Sequence, residues 1–240
     1  MAKLYVLGIG PGGLEHMTFK AFESIKKSQV IVGYTPYIDY LGDLAHGKEL
    51  ISTGMRGEVE RCKAAIDMVR KGKNTSIIST GDAGLYGMAG PILELASDIE
   101  VEIVPGVTAA FSAAAELGSP IMHDYASISL SDLLTPWEVI VKRIHMASEG
   151  DFVISIYNPK SKGRRDHLEK AIEIISKYRD GSTPVGIVRN SGRPGTSITI
   201  TSLDSIDYES VDMSCVLIIG NSNTFIRDKQ IITPRGYDIK

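Results

Sequence analysis

The first part of the chain alternates short apolar runs with stretches of helical periodicity. An apolar run at residues 3–7 leads directly into glycines, and from residue 14 to residue 27 the apolar residues recur at the spacing of one helix face. Similar strand patterns lie at residues 29–32, 75–79 and 101–104, and helical patterns at residues 58–69 and 92–96 and after Ala109. Alternation of this kind predicts a parallel sheet covered by helices, which is an α/β fold.

The sequence Gly118-Ser119-Pro120 interrupts this alternation, so we expect a domain boundary there. It would separate an N-terminal α/β domain with glycine-rich loops, residues 1–119, from a C-terminal α/β domain, residues 120–240. In the second part, strand patterns occur at residues 126–130, 152–156 and 184–188, and helical patterns at residues 136–147 and 168–178. Two last strand patterns, at residues 197–201 and 216–219, have few helices near them and predict antiparallel structure.

Three predicted strands of the first part end in glycine-rich loops, at residues 8–13, 80–87 and 105–110. The carboxyl ends of parallel strands meet at one edge of a sheet, and open α/β sheets bind ligands at that edge. Glycine lacks a Cβ, so backbone from several loops could approach one small molecule. Asp82 is the acidic residue among these loops, and it could serve as a helix N-cap or bind a polar group.

The first loop also fits the dinucleotide pattern G-x-G-x-x-G, which is weak evidence alone. Pro11 removes an N–H group that a pyrophosphate would use. The second predicted strand has no Asp or Glu at its end to bind a ribose, and no Gly-Lys-Ser/Thr sequence is present. These features disfavour a nucleotide phosphate site and leave a plain tight turn as the alternative.

Composition narrows the class of protein. The chain has 240 residues, of which 43% are hydrophobic and 23% charged, with a net charge of −3. This fraction of hydrophobic residues is enough to form buried cores. The slight negative net charge speaks against a general nucleic-acid binder. No apolar run reaches the roughly 18 residues of a membrane span, and no leader pattern precedes the first strand, so we expect a cytoplasmic protein with no membrane partner.

The cysteines and histidines show no metal-ligand spacing, so no metal site is expected. Cys62 and Cys215 each lie within an apolar pattern, which predicts buried, reduced thiols.

Basic residues follow two predicted strand ends of the second part. Lys160, Lys162, Arg164 and Arg165 follow one, and Arg189 and Arg193 follow the next. A solvated surface is the ordinary interpretation of such runs. Cations at strand ends that face a cleft would instead suit a substrate with several carboxylates.

In this order and spacing, the sequences Gly-Ile-Gly-Pro-Gly, Gly-Asp-Ala-Gly-Leu-Tyr-Gly and Pro-Gly-Val-Thr-Ala-Ala resemble the tetrapyrrole (corrin/porphyrin) methylases, which are S-adenosylmethionine-dependent class III methyltransferases. The resemblance covers roughly residues 3–228. Four further stretches resemble the precorrin-3B C17-methyltransferase branch of that family, also described as cobalt-factor III methyltransferases: residues 32–34, residues 52–55 with 58–62, residues 129–137 and residues 157–162.

This resemblance implies two α/β domains of the class III methyltransferase type, with the active site in the cleft between them, and a homodimer. It implies S-adenosyl-L-methionine as methyl donor and S-adenosyl-L-homocysteine as its product. The acceptor would be a tetrapyrrole, precorrin-3B or cobalt-factor III, methylated at C17 with ring contraction to (cobalt-)precorrin-4. The sequence shows no iron–sulfur pattern or evident oxygen chemistry, which favours the cobalt-containing acceptor.

The resemblance also assigns roles to residues of this chain. Donor-binding positions carry over onto Pro11, Thr80, Gly81, Asp82, Leu85, Thr108, Ala109, Asn158, Gly186, Asn190 and Ser191. Substrate contacts are expected at Gly10, Arg56, Ser131, Asp132, Lys160, Lys162 and Arg164. Ring contraction needs proton movement, so an acid or base is expected, and Asp132, His123 and Asp124 are unranked candidates. Ala83 stands where many relatives have proline, which would alter the stiffness of the loop.

Three alternatives stay open on the sequence. A sister tetrapyrrole methylase would act at another ring carbon. A ribose methyltransferase of the same fold, acting on ribosomal RNA, predicts a broad basic face, against which the net charge speaks. A nucleotide-binding regulatory module without catalysis would bind NAD and not S-adenosylhomocysteine.

Overall fold

The computed structural model describes residues 2–238 and confirms the α/β class. The chain divides into two compact units, Met1–Ala109 and Ala110–Lys240, so the division lies at the first residue of helix α5 (Ala109–Leu117) and not after Ser119. The reason is the packing of α5 within the second unit. Its Leu117 side chain fills the space beside Gly186, where an added Cβ would lie 2.6 Å from Leu117 Cδ2. The Ser-Pro sequence that suggested the later boundary only ends a short strand that follows α5.

The first unit contains one five-stranded sheet in the order β3-β2-β4-β1-β5, and every strand pair in it is parallel. Its strands are β1 (Lys3–Gly8), β2 (Val30–Tyr34), β3 (Glu49–Thr53), β4 (Thr75–Ser79) and β5 (Glu100–Val104), and its helices are α1 (Phe19–Lys27), α2 (Thr35–Asp39), α3 (Glu58–Arg70) and α4 (Ala89–Leu95). Two 3₁₀ turns, Leu14–His16 and Gly42–Ala45, complete it. The central strands are buried on both faces, as continuous apolar runs predict.

Two elements of this unit are absent from the sequence pattern, and one helix begins later than it predicts. β3 is a half-exposed edge strand with polar residues, and α2 is a single five-residue turn of helix. The helix predicted from residue 14 starts at Phe19, because the Thr18 hydroxyl accepts a hydrogen bond from the Ala21 N–H at 3.2 Å and caps it there.

The second unit has a mixed sheet in the order β10-β9-β11-β8-β7. Only β7 and β8 are parallel, whereas β8–β11, β11–β9 and β9–β10 are antiparallel, which confirms the predicted antiparallel end. Its elements are β6 (Gly118–Ser119), β7 (Tyr125–Ser129), α6 (Trp137–Glu149), β8 (Val153–Tyr157), α7 (His167–Ile175), β9 (Pro184–Arg189), β10 (Ser197–Ser202), β11 (Cys215–Ile219), β12 (Phe225–Arg227) and β13 (Gln230–Ile232), with 3₁₀ turns at Leu203–Ser205 and Tyr208–Ser210. β12, β13 and β6 form a separate small sheet.

Both cysteines are free and buried, as predicted. Burial raises the pKa of the Cys62 thiol to about 11 and also raises that of Cys215, so both thiols stay protonated and unreactive at neutral pH. From residue 2 to residue 238, no helix has the length and apolar character needed to cross a bilayer.

Candidate active site

The first two glycine loops are joined at the carboxyl edge of the first unit's sheet. The Gly10 N–H donates to the Gly81 carbonyl at 3.1 Å, and the Gly81 N–H donates to the Gly10 carbonyl at 2.7 Å. Both glycines have φ angles in the left-handed region, +79° and +71°, which side chains rarely allow. The loops are therefore paired backbone to backbone immediately after parallel strands β1 and β4.

The third glycine loop packs against the same point. A Cβ on Gly8 would lie 2.7 Å from both the Gly106 nitrogen and the Gly81 oxygen, and a Cβ on Gly106 would lie 2.6 Å from the Gly8 carbonyl carbon. These separations are shorter than any real Cβ contact, so Gly8 and Gly106 are required by the close approach of the three loops. The structure thus brings together the loops that the strand pattern placed at one sheet edge.

Asp82 fastens the loops together. Its Oδ1 accepts hydrogen bonds from the N–H groups of Gly84 at 2.7 Å and Leu85 at 3.1 Å, and its Oδ2 accepts one from the Gly106 N–H at 2.9 Å. The suggestion that Asp82 is a helix N-cap is wrong, because the next helix, α4, has Met88 at that position. Asp82 instead closes a turn within its own loop and ties that loop to the third one.

The hydrogen bonds of Asp82 determine which charge a ligand at this sheet edge should carry. Three amide groups that could bind an anion already donate to the Asp82 carboxylate, and residues 8–13, 80–87 and 105–110 contain no Lys or Arg. A phosphate would find these donors occupied and would meet a negative charge. The edge is therefore suited to a neutral or cationic group, which argues against the dinucleotide alternative.

The remaining donor-binding residues predicted for this unit lie on the same three loops. Pro11 and Thr108 are buried, and Thr80, Leu85 and Ala109 are half-buried. Arg56 follows β3, the outermost strand of the same parallel sheet, in the connection to α3, where it is exposed and has a φ angle of +67°.

In the second unit, two predicted donor-binding residues follow strands β8 and β9, which lie on either side of β11, and both are in left-handed conformation. Asn158 follows β8 with a φ angle of +52°, and its amide donates to the Ser129 hydroxyl at the end of β7 at 2.8 Å. Asn190 follows β9 with a φ angle of +51°, and its N–H donates to the Ser214 carbonyl. Asparagine tolerates this conformation better than most residues do.

The other two predicted donor-binding residues of this unit pack against α5. The buried Ser191 hydroxyl lies 2.7 Å from Ser112 Oγ and donates to Glu116 Oε1 at 2.9 Å. Gly186 faces Leu117, so the lack of a side chain there serves helix packing. Any ligand contact from Gly186 would have to come from its backbone.

The predicted basic substrate contacts divide into two kinds. Lys160 Nζ donates to the Tyr208 carbonyl at 3.0 Å and pairs with Glu209 at 3.1 Å. Arg164 is buried, and its Nη1 donates to the Leu130 carbonyl at 3.3 Å. Both cations are thus engaged inside the second unit, whereas Lys162 is exposed.

Asp132 lies in a cluster with His167 and Arg164 that the sequence pattern does not predict. Its Oδ2 is 3.1 Å from His167 Nε2, and its Oδ1 is 3.9 Å from Arg164 Nε. The His167 ring packs against Trp137, with centroids 4.3 Å apart. The sequence pattern does not single out His167, which lies just before the helical pattern predicted at residues 168–178 and in the structure begins α7. Its position directly after the basic run was the available signal.

The pKa of the Asp132 carboxyl lies below its usual range. Burial alone raises it, but hydrogen bonds from His167 and from backbone, together with the charges of His167 and Arg164, outweigh that effect. Asp132 is therefore held as a carboxylate, which disfavours it as a general acid near neutral pH.

The other two acid–base candidates lie at the opposite end of β7. His123 Nδ1 accepts a hydrogen bond from the Asp124 N–H at 2.8 Å, and both residues precede the strand, whereas Ser131 and Asp132 follow it. Five strand residues separate the two groups by roughly 16 Å. The structure therefore does not bring His123 and Asp124 together with Asp132. Among residues 2–238, no group of three or more potential metal ligands is gathered in one place.

Replacing Asp132 with asparagine is expected to lower stability in a pH-dependent way. A carboxyl group with a depressed folded-state pKa stabilises the fold above its unfolded value of about 4, and this contribution is lost as pH falls through the folded value. The free energies of unfolding of wild type and D132N, measured in urea, should therefore differ most near neutral pH and approach each other as pH falls below about 4. D124N is the matched control, because the Asp124 side chain is 73% exposed. A difference between wild type and D132N that did not change with pH would contradict this account.

The fold belongs to a known class of methyltransferases. A crystal structure of the methyltransferase CobJ matches with a TM-score of 0.93 and 31% identity, over 98% of this chain and 100% of that one. The cobalt precorrin-4 methyltransferase CbiF shares the fold at a TM-score of 0.72 and 24% identity, over 91% of this chain and 94% of that one.

Sequence relatives identify the family. A probable cobalt-factor III C(17)-methyltransferase of Salmonella typhimurium is 48% identical over 98% of this chain and 100% of its own length. A cobalt-factor III methyltransferase of Priestia megaterium is 43% identical over 99% of this chain and 46% of its own length, and a precorrin-3B C(17)-methyltransferase of Sinorhizobium sp is 38% identical over 98% and 96%. The family model of the tetrapyrrole (corrin/porphyrin) methylases matches residues 3–207. The chain belongs to this family, which confirms the resemblance drawn from its glycine-rich loops.

Proposed function

We propose that this protein transfers a methyl group from S-adenosylmethionine to C17 of cobalt-factor III, with contraction of the ring to cobalt-precorrin-4, in corrin biosynthesis. The names of the relatives described above support the reaction and its acceptor. The structural observation that carries the proposal is the Asp82 carboxylate, which occupies the backbone donors of the glycine-loop edge and gives that edge a negative charge. A sulfonium cation fits such an edge, whereas a pyrophosphate does not.

The donor supplies an electrophilic methyl group, so the protein needs no metal or strong nucleophile for the transfer. Its residues have to orient the donor and exclude water. Pro11, Gly81 and Thr108 lie on the three joined loops and would form the wall against the donor. Because Gly8, Gly81 and Gly106 hold these loops in fixed contact, this wall is arranged before any ligand arrives.

The acceptor side of the proposal uses the second unit. A tetrapyrrole with acidic side chains would be met by exposed cations such as Lys162, since Lys160 and Arg164 are already committed to other partners. In the proposal, Lys160 and Arg164 shape the loops that follow β7 and β8.

The homodimeric assembly and cytoplasmic location implied by the family resemblance also form part of the proposal. Sedimentation of the purified protein tests the homodimer.

Titration calorimetry and product analysis test this function. We expect S-adenosylhomocysteine to bind with micromolar affinity and NAD to give no heat. We expect incubation with S-adenosylmethionine and cobalt-factor III to change the visible spectrum and to place the new methyl group on C17 by NMR. Binding of NAD without S-adenosylhomocysteine would contradict the proposal, and a methyl group on another ring carbon would indicate a sister methylase. Competition by ribosomal RNA would point to the ribose methyltransferase alternative.

A further inference from the structure

The loop between β7 and α6 exposes two adjacent leucines. Leu134 is 99% exposed and Leu133 is 65% exposed. A single leucine at the surface needs no explanation, but two neighbours at the tip of one loop form a small apolar surface. We call residues 131–136 the leucine loop.

The leucine loop is anchored immediately before these side chains. The Ser131 N–H donates to the Ser129 hydroxyl at 3.2 Å, and Asp132 is held by His167 and lies near Arg164. After the leucines, Trp137 begins α6 and packs on the His167 ring. The two leucines are therefore presented to solvent by a fixed backbone on either side.

A second loop, with exposed cations, is joined to the first. We call residues 158–166 the basic loop; in it Lys162 and Arg165 are exposed. The buried Arg164 connects the two loops, because its Nη1 donates to the Leu130 carbonyl and its Nε lies near Asp132. Apolar and cationic side chains thus emerge from two linked loops at the carboxyl ends of the parallel strands β7 and β8.

From this combination we propose that Leu133 and Leu134 contact the flat apolar face of the acceptor macrocycle, while Lys162 and Arg165 pair with carboxylates at its rim. The inference rests on the proposed function and adds three residues, Leu133, Leu134 and Arg165, to the acceptor contacts. A conjugated ring with acidic side chains is apolar on its faces and anionic at its edge. Its faces would meet the two leucines, and its carboxylates would meet the two cations. A second copy of the chain fits less well, since two leucines supply far less than the roughly 800 Å² per partner of a stable interface.

In this proposal Asp132 is a positioning residue. It acts through the backbone of the leucine loop and not on the reacting atoms, in agreement with its engagement by His167. Replacing Asp132 should therefore raise KM for cobalt-factor III and leave the shape of the pH profile of kcat the same as in wild type.

The double variant L133S/L134S tests the apolar contact. Because both side chains are exposed, the variant should fold and bind S-adenosylhomocysteine as wild type does. Loss of two apolar contacts that are equal in the ground and transition states should raise KM for cobalt-factor III about tenfold or more and leave kcat nearly unchanged. L93S is the matched control, since Leu93 on α4 is 56% exposed and should leave both constants unchanged.

The charge contacts are tested separately with K162Q/R165Q. KM should rise several-fold, and the difference from wild type should shrink at high salt because exposed ion pairs are screened. A salt-independent KM in wild type would contradict this part of the proposal.

A binding titration of cobalt-factor III, monitored by its absorbance, distinguishes failure of the proposed function from failure of the leucine contact. If wild type binds the macrocycle but does not methylate it, the proposed function fails, and unequal affinities of wild type and L133S/L134S would still support the contact. If wild type and L133S/L134S bind it equally, the contact is wrong whatever the activity. A shift of L133S/L134S from dimer to monomer in sedimentation, with unchanged macrocycle affinity, would assign the leucines to a second copy and overturn the proposal.

Discussion

Replacing Gly106 with alanine is expected to lower the free energy of unfolding by about 3 kcal/mol and to abolish measurable S-adenosylhomocysteine binding. The added Cβ would lie 2.6 Å from the Gly8 carbonyl and would also collide with the Gly81 carbonyl oxygen. Both obstacles are backbone atoms of neighbouring loops, so no side-chain rotation relieves them. The loops must separate, and the proposed wall against the donor is lost with them.

Gly90→Ala provides the matched control for this substitution. Gly90 lies in α4, and a Cβ there would meet no atom within 4 Å. Alanine should stabilise that helix by about 0.5–1 kcal/mol and leave donor binding unchanged. Urea unfolding and calorimetry of both variants measure the two effects. If G106A were as stable as wild type and bound the donor product normally, the three loops could not be in the fixed contact described here.

The glycine-rich edge could be predicted from the sequence because two independent signals agree there. Continuous apolar runs indicate buried parallel strands, whose carboxyl ends meet at one sheet edge, and a glycine-rich loop follows three of these runs. The contacts of Asp82 could not be predicted in this way. Its bond to Gly106 joins residues far apart in the chain, and no local pattern encodes that partner.

The residues that contact the acceptor in the proposal were less predictable from the sequence than the glycine-rich edge. A run of cations in a sequence does not reveal which side chains are used internally, and here Lys160 and Arg164 bind carbonyl groups of their own unit while Lys162 stays exposed. Edge strand β3 escaped prediction for a related reason, since exposed strands need no apolar alternation.

A turn sequence predicts the domain boundary at a different position from the one that packing sets. Gly118-Ser119-Pro120 is a break in the chain, but α5, which precedes it, packs with Gly186 and Ser191 of the second unit. A turn sequence marks where an element ends, whereas a domain boundary is set by which core the element joins.

Replacing Asp82 with alanine should lower the free energy of unfolding by about 3 kcal/mol, because three backbone N–H groups lose one charged acceptor together. Affinity for S-adenosylhomocysteine should fall at least about tenfold, since loops two and three are no longer tied. Asp43→Ala is the control: the Asp43 side chain is fully exposed in the same unit, and its loss should change stability by less than about 0.5 kcal/mol.

Asp82→Asn separates the two halves of this contact. The amide oxygen can still accept from Gly84 and Leu85, but the amide nitrogen would face the Gly106 N–H, and two donors cannot bond. We expect about half the destabilisation of D82A and a faster hydrogen exchange at the Gly106 amide, with the Gly84 and Leu85 amides still protected. Uniform exchange across all three amides in D82N would show that the carboxylate does not bridge the loops, and the charge argument for a cationic donor at this edge would then lose its basis.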